Sequence, residues 1–169
     1  MTAVDPEKAI SMGLDAVVFC DCYEKGRIKS CPPEVGPLYV EPNGAVEPRS
    51  DNPEVLERFD AWREQACRHE DGMIAGDYLG NAGQGAQFRD ALWAKRNLFP
   101  VLLGKVIYSG THCGDHLSLR HVAKLATELD RLKSIRTGDK SLDKDLQILR
   151  RKLEKLVRVS LKIKKPIAF

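Results

Sequence analysis

The chain has 169 residues, a net charge of +3, 43% hydrophobic and 30% charged residues, proportions ordinary for one soluble globular domain. No apolar run approaches the ~20 residues of a membrane span, MTAVDPEKAI lacks the apolar stretch of a signal peptide, and five cysteines are an odd set for a disulfide framework. These features argue against intrinsic disorder, a secreted knot and a membrane protein, and predict a cytosolic protein with reduced thiols.

Residues 1–11 read as a loose leader, polar and without periodicity, ahead of a single domain over 12–169. GLDAVVFCDC, Gly13 to Cys22, reads as a strand. Residues 24–37 contain three prolines and two glycines and read as a loop. Asn43-Gly44 between Leu38–Val40 and Ala45-Val46 predicts a hairpin. Asp51 or Asn52 caps a first helix, Pro53 suits its first position, and Val55, Phe59, Trp62 and Ala66 make its apolar stripe, ending near Gly72. Met73 to Leu79 suits a short strand. Gly80, Gly83 and Gly85 read as a turn into a helix over 86–97, and Pro100 restarts the chain.

The C-terminal third is the most legible. Ser118 suits the cap of a helix whose Val122, Leu125, Leu129 and Leu132 share one face. After a break at Gly138, Leu142, Leu146, Leu149, Leu153, Leu156, Ser160 and Ile163 alternate at spacings of four and three, the 3.5-residue seam of paired helices. An antiparallel helical hairpin follows, then Pro166 and an apolar tail, Ile167 to Phe169, expected to dock. The expected fold is α+β: a small, mainly antiparallel sheet packed against helices, closed by this hairpin.

Four places carry chemistry. Cys20 and Cys22, two apart on a strand, project from one face, and Cys67 with His69 completes a Cys₃His set suited to structural zinc. Residues two apart on a helix diverge by about 200°, so joint ligation requires the first helix to unwind at Cys67. The plain alternative makes Cys20 and Cys22 small core residues and His69 a hydrogen-bonded edge residue. The Tyr108–His116 segment gathers Cys113, His112, Asp115 and His116 ahead of a helix, where loops often present functional groups. Cys113 there is a candidate nucleophile with a base from elsewhere, such as His69. His112, Asp115 and His116 are alternatively metal or binding groups, or a turn in which Asp115 or Ser118 caps the helix.

Gly80 to Gly85 offers backbone amides to an anion but matches neither a Walker A loop nor G-x-G-x-x-G. The fourth place is the last helix. From Lys144 to Lys165 nine Lys or Arg face two acids, a net +7 that leaves −4 on the rest. This polarity suits an acidic partner or nucleic acid, although most of these charges fall off the leucine seam, as on a solvated face.

The segments Met12 to Asp15 (MGLD), Cys20 to Tyr23 (CDCY), Trp62 with Cys67 to Gly72 (CRHEDG), Tyr108 to His112 with Gly114-Asp115, and Lys165 to Phe169 (KPIAF) resemble those of a family of small uncharacterised bacterial proteins. Their general look is similar to predicted immunity proteins of bacterial toxin systems. The resemblance spans nearly the whole chain from Met12, implies no mechanism, and includes Cys20, Cys22, Cys67, His69, His112 and Asp115 but not Cys31 or Cys113.

The sequence thus predicts a cytosolic, non-enzymatic binding protein, immunity-like or regulatory, with a protein partner, no membrane association and a zinc-holding Cys20, Cys22, Cys67, His69 cluster. A metal- or cysteine-dependent hydrolase using that cluster and the His112–His116 loop is the first alternative. Nucleic-acid binding through the basic helix is the second.

Overall fold

A computed structural model describes residues 13–110, 112 and 114–169. The predicted leader over 1–11, Met12 and the Cys113 nucleophile lie outside the described residues. Strand β1 covers Gly13–Phe19, three residues fewer than the predicted strand. Ala16 and Val18 are buried while Asp15 is exposed, the period-two pattern of a strand with one face on the core. A register shift at Val18/Phe19 loosens the pairing, Cys20 N still donates to Gly72 O at 2.7 Å, and the chain then turns, Arg27 N closing onto Cys22 O at 2.8 Å. The loop that follows holds one 3₁₀ turn, Pro33–Val35. The predicted hairpin forms from β2, Leu38–Val40, and β3, Val46–Pro48, with Gly44 at φ 93° in its turn, a conformation that glycine adopts without steric cost.

Helix α1 spans Pro53–Ala66, with Asn52 Oδ1 accepting from Glu54 N at 3.0 Å. Phe59, Trp62 and Ala66 bury the predicted stripe against Val35, a small core separate from the main one. The helix stops at Ala66 rather than near Gly72: Cys67 is fully extended, at φ −144° and ψ −173°. Strand β4, Met73–Asn81, runs past the predicted Leu79. Helix α2, Ala82–Leu92, begins four residues earlier than residue 86, with Gly83 and Gly85 inside it. The reason is a capping box. Asn81 Oδ1 accepts from Gln84 N at 2.9 Å and Gln84 Oε1 accepts from Asn81 N at 3.1 Å, which offsets the helix cost of the two glycines. Asn81→Ala is expected to lower stability by about 1 kcal/mol, read from the urea midpoint; an unchanged midpoint would refute the cap.

A 3₁₀ stretch, Trp93–Leu98, extends α2 toward the predicted end, and the ambiguous segment after Pro100 contains a π-helical turn, Leu102–Val106. Strand β5, His116–Leu117, precedes α3, Leu119–Leu132. Ser118 occupies the N-cap position but caps no backbone group; its Oγ lies 3.1 Å from His121 Nδ1, and Asp115 accepts the Tyr108 hydroxyl instead of capping the helix. Helix α4, Lys140–Ile163, is capped by Asp139 and ends on Lys164 in the left-handed region. The leucine faces of α3 and α4 bury against each other in the expected hairpin. The tail forms β6, Ile167–Ala168.

β6 fits between β1 and β5, so the antiparallel sheet runs β4-β1-β6-β5. α4 packs across β4 and β1, and the main core lies between the sheet and the helices. The fold is α+β, as expected. Among the described residues no helix is long and apolar enough to cross a membrane.

Candidate metal centre

The cluster is assembled from two turns that each follow the end of a regular element. The register shift in β1 releases Cys20 to Cys22 into the first turn, and the extended Cys67 carries the chain out of α1 to His69, itself extended at φ −99°. Asp71, at φ 48°, and Gly72, at φ 69°, then return the chain to β4. The helix therefore unwinds at Cys67, the condition that joint ligation imposes. The two cysteines of the first turn reach the site from a turn rather than from one face of a strand.

The ligand atoms of Cys20, Cys22, Cys67 and His69 all lie within 4.8 Å of one another. Cys20 Sγ is 3.8 Å from Cys67 Sγ, and His69 Nδ1 is 3.4 Å from Cys22 Sγ and 3.7 Å from Cys67 Sγ. Zinc bonds of about 2.3 Å to sulfur and 2.0–2.1 Å to nitrogen give a tetrahedron whose edges are about 3.8 Å (S···S) and about 3.6 Å (S···N). Three edges of the cluster thus match those of a zinc tetrahedron, with Nδ1 as the histidine donor. The backbone N–H of His69 points to Cys67 Sγ at 3.4 Å, a contact that stabilises thiolate charge and fixes the ligand. The cluster can hold a metal ion.

Its electrostatics fit a buried thiolate site. Cys20 and Cys22 are 7% and 6% exposed. Burial pushes the Cys20 thiol up to about 12, and burial raises Cys22 as well. Without an ion both thiols hold their protons at neutral pH, so metal binding must release them. Phe59, Trp62 and Ala45 line the apolar space beside Cys20 and Cys67. At the surface, the Lys25 ammonium beside Asp21 holds that carboxyl below its usual range. Lys165, 5% exposed, pairs with Glu24 and ties the C-terminal segment to the same turn. In the sequence Lys165 stands among the basic charges and opens the KPIAF segment, and its place beside Pro166 in an apolar tail is the signal for its burial.

The remaining predicted site residues lie elsewhere. His112 rests against the rings of Tyr108 and Phe169 at centroid distances of 4.2 and 6.0 Å. Asp115 takes the Tyr108 hydroxyl, and His116 is exposed in β5. Among the described residues these three do not converge as metal ligands. The Gly80–Gly85 segment is the capped start of α2. Several cations of the basic helix are engaged within the chain. Arg150 pairs with Glu154 at 2.6 Å. Lys155 pairs with Asp77 at 3.3 Å, and Lys152 donates to Tyr78 O on the outer strand of the sheet. Compared with known proteins, the chain matches no family model, no curated protein and no solved structure.

Proposed function

We propose that the protein is a non-enzymatic cytosolic binding protein, immunity-like or regulatory, whose Cys20, Cys22, Cys67 and His69 hold one structural zinc ion. The observation that carries the metal part is the agreement of the 3.8, 3.4 and 3.7 Å edges with a zinc tetrahedron. A catalytic zinc keeps a fourth position for water or substrate, whereas four protein donors fill every corner. That supports a structural ion over a hydrolytic one. The donor chemistry supports a cytosolic placement, where ligating thiols stay reduced.

The partner part rests on the resemblance of the CDCY, CRHEDG and KPIAF segments to small bacterial proteins and, more distantly, to predicted immunity proteins. Arg150, Lys152, Lys155 and Lys165 pair within the fold, Lys155 while still exposed, and Lys144, Arg151, Arg158, Lys162 and Lys164 are exposed as well. This reduced face favours an acidic protein partner over nucleic acid. Heparin retention that falls steeply with salt would reverse that preference.

The direct test of the ion is metal content on untagged protein purified without chelator, with a parallel count of reactive thiols. About one zinc per chain, with Cys20, Cys22 and Cys67 protected until a chelator is added, is the expected result. Metal-free protein whose three thiols titrate freely would return them to the role of core residues.

A further inference from the structure

Two segments distant in sequence, Gly80–Gly85 and the start of the Tyr108–His116 loop, line one cleft of about 650 Å³ beside the beginning of β1. Leu14, Leu79, Phe88, Ile107 and Phe169 make most of its wall apolar, with Arg89, His112 and Ser109 among its few polar groups. That size and composition are those of a small-molecule site. The cleft is separate from the Cys/His cluster and shares no residue with it.

Two of its groups are incompletely matched. Arg89 donates Nη1 to Ile107 O at 2.8 Å but has no carboxylate partner among the described residues, leaving further guanidinium donors for a ligand. His112 Nε2 is closed to solvent and, among the described residues, has no hydrogen-bond partner. Buried nitrogens are nearly always paired, so an orphan one calls for an explanation such as a ligand or a water. Beside it, Tyr108 donates its hydroxyl to Asp115 and packs on the His112 ring. A Cβ at Gly110 would come within 2.6 Å of the Tyr108 ring, so any larger residue there would push that ring aside.

We propose that the cleft binds a small organic acid whose carboxylate is received by Arg89 and, once the His112 ring turns to open Nε2 to the cleft, by His112, and whose apolar, ring-sized body lies against Phe88 and Ile107. A monoanion suits a site with one full positive charge and apolar walls. Asp15, also at the cleft, is exposed, and water screens its opposing charge.

The test is a titration of the ¹⁵N-labelled full chain with 3-phenylpropanoate, followed by amide and imidazole resonances, beside the neutral 3-phenylpropanamide and the dianionic phenylphosphonate. The acid is expected to give saturable shifts at Gly80, Gly85, Gly110 and His112, and the amide to bind about tenfold more weakly or worse. Arg89→Gln is expected to weaken the acid by a similar factor, and His112→Phe, which keeps the ring packing, by several-fold. No saturable shift up to about 10 mM, equal binding of acid and amide, a preference for the phosphonate, or shifts confined to another face would each overturn the proposal. Should Arg89→Gln fail to fold, the comparison of acid with amide on the unaltered chain decides.

Discussion

Replacing Cys22 by serine is expected to strip the ion from the cluster and to lower the melting temperature by about 10 °C or more. Serine keeps nearly the size of cysteine, so the loss reads ligation rather than packing. The effect is large because, with the proposed ion bound, the metal free energy would be folding free energy for the turns that carry the ligands. Those turns lean on a small core: Val35, Phe59, Trp62 and Ala66 are its buried members. The main core holds the leucine faces of α3 and α4 together with Ala16 and Val18 of the sheet, and it contains none of the four ligands.

Unfolding in a strong chelator should therefore reproduce the Cys22→Ser loss and add nothing to it, since both remove the same ion. Hydrogen exchange should report the opening over α1 and residues 20–72 while the helical hairpin stays protected. Cys31 provides the control: it is half-buried beside the small core and outside the cluster, and Cys31→Ser should shift the melting point by only a few degrees, alike with and without chelator. If Cys22→Ser and Cys31→Ser cost the same, and chelator changes neither, the cluster is merely apolar filling.

How much of this was legible depends on what kind of signal each element carries. α3 and α4 were read correctly because a leucine seam is a local, repeated pattern that tertiary packing reinforces. The start of α2 was misplaced because two glycines argue against a helix and the capping pair Asn81 and Gln84 argues for one; the cap prevailed. The end of α1 was misplaced for another reason. Nothing in the helix propensity of Cys67, Arg68 or His69 opposes a helix, and the chain leaves it where Cys67 Sγ and His69 Nδ1 reach Cys20 and Cys22; the Cys67/His69 spacing marks the break only once joint ligation is assumed. The four cluster residues themselves were legible from donor type alone. Arg89 was not, because its place depends on how α2 meets the Tyr108 loop. The tail illustrates the same divide: its apolarity predicted docking, while its place between β1 and β5 follows only from the assembled sheet.

Glu128 provides the second large effect. It occupies the apolar face of α3, three residues after Leu125 and next to Leu129, and is 2% exposed. A carboxylate in such a stripe is a signal visible in the sequence itself. Its oxygens accept from Val101 N at 2.9 Å and Leu102 N at 2.8 Å, two N–H groups at the beginning of a helical turn that lack carbonyl partners one turn back. Glu128→Ala should leave both donors buried and unpaired, at a cost of about 3 kcal/mol or more and a melting point lower by about 6–12 °C. Glu128→Gln keeps one acceptor and should lose roughly half of that.

The pH dependence separates the charge from the hydrogen bonds. Burial raises the Glu128 carboxyl above its ordinary 4.5, against the two N–H contacts that lower it. The folded state therefore binds the proton more tightly than the unfolded chain. The group's contribution to stability is greatest below 4.5 and declines as pH rises through the folded value. Urea unfolding of the wild type and Glu128→Gln across about pH 4 to 7 should show the wild-type advantage narrowing as pH increases. An advantage that grows with pH would mean that the two N–H groups hold the carboxylate more strongly than burial penalises it, and the assignment of burial as the dominant cause would fall.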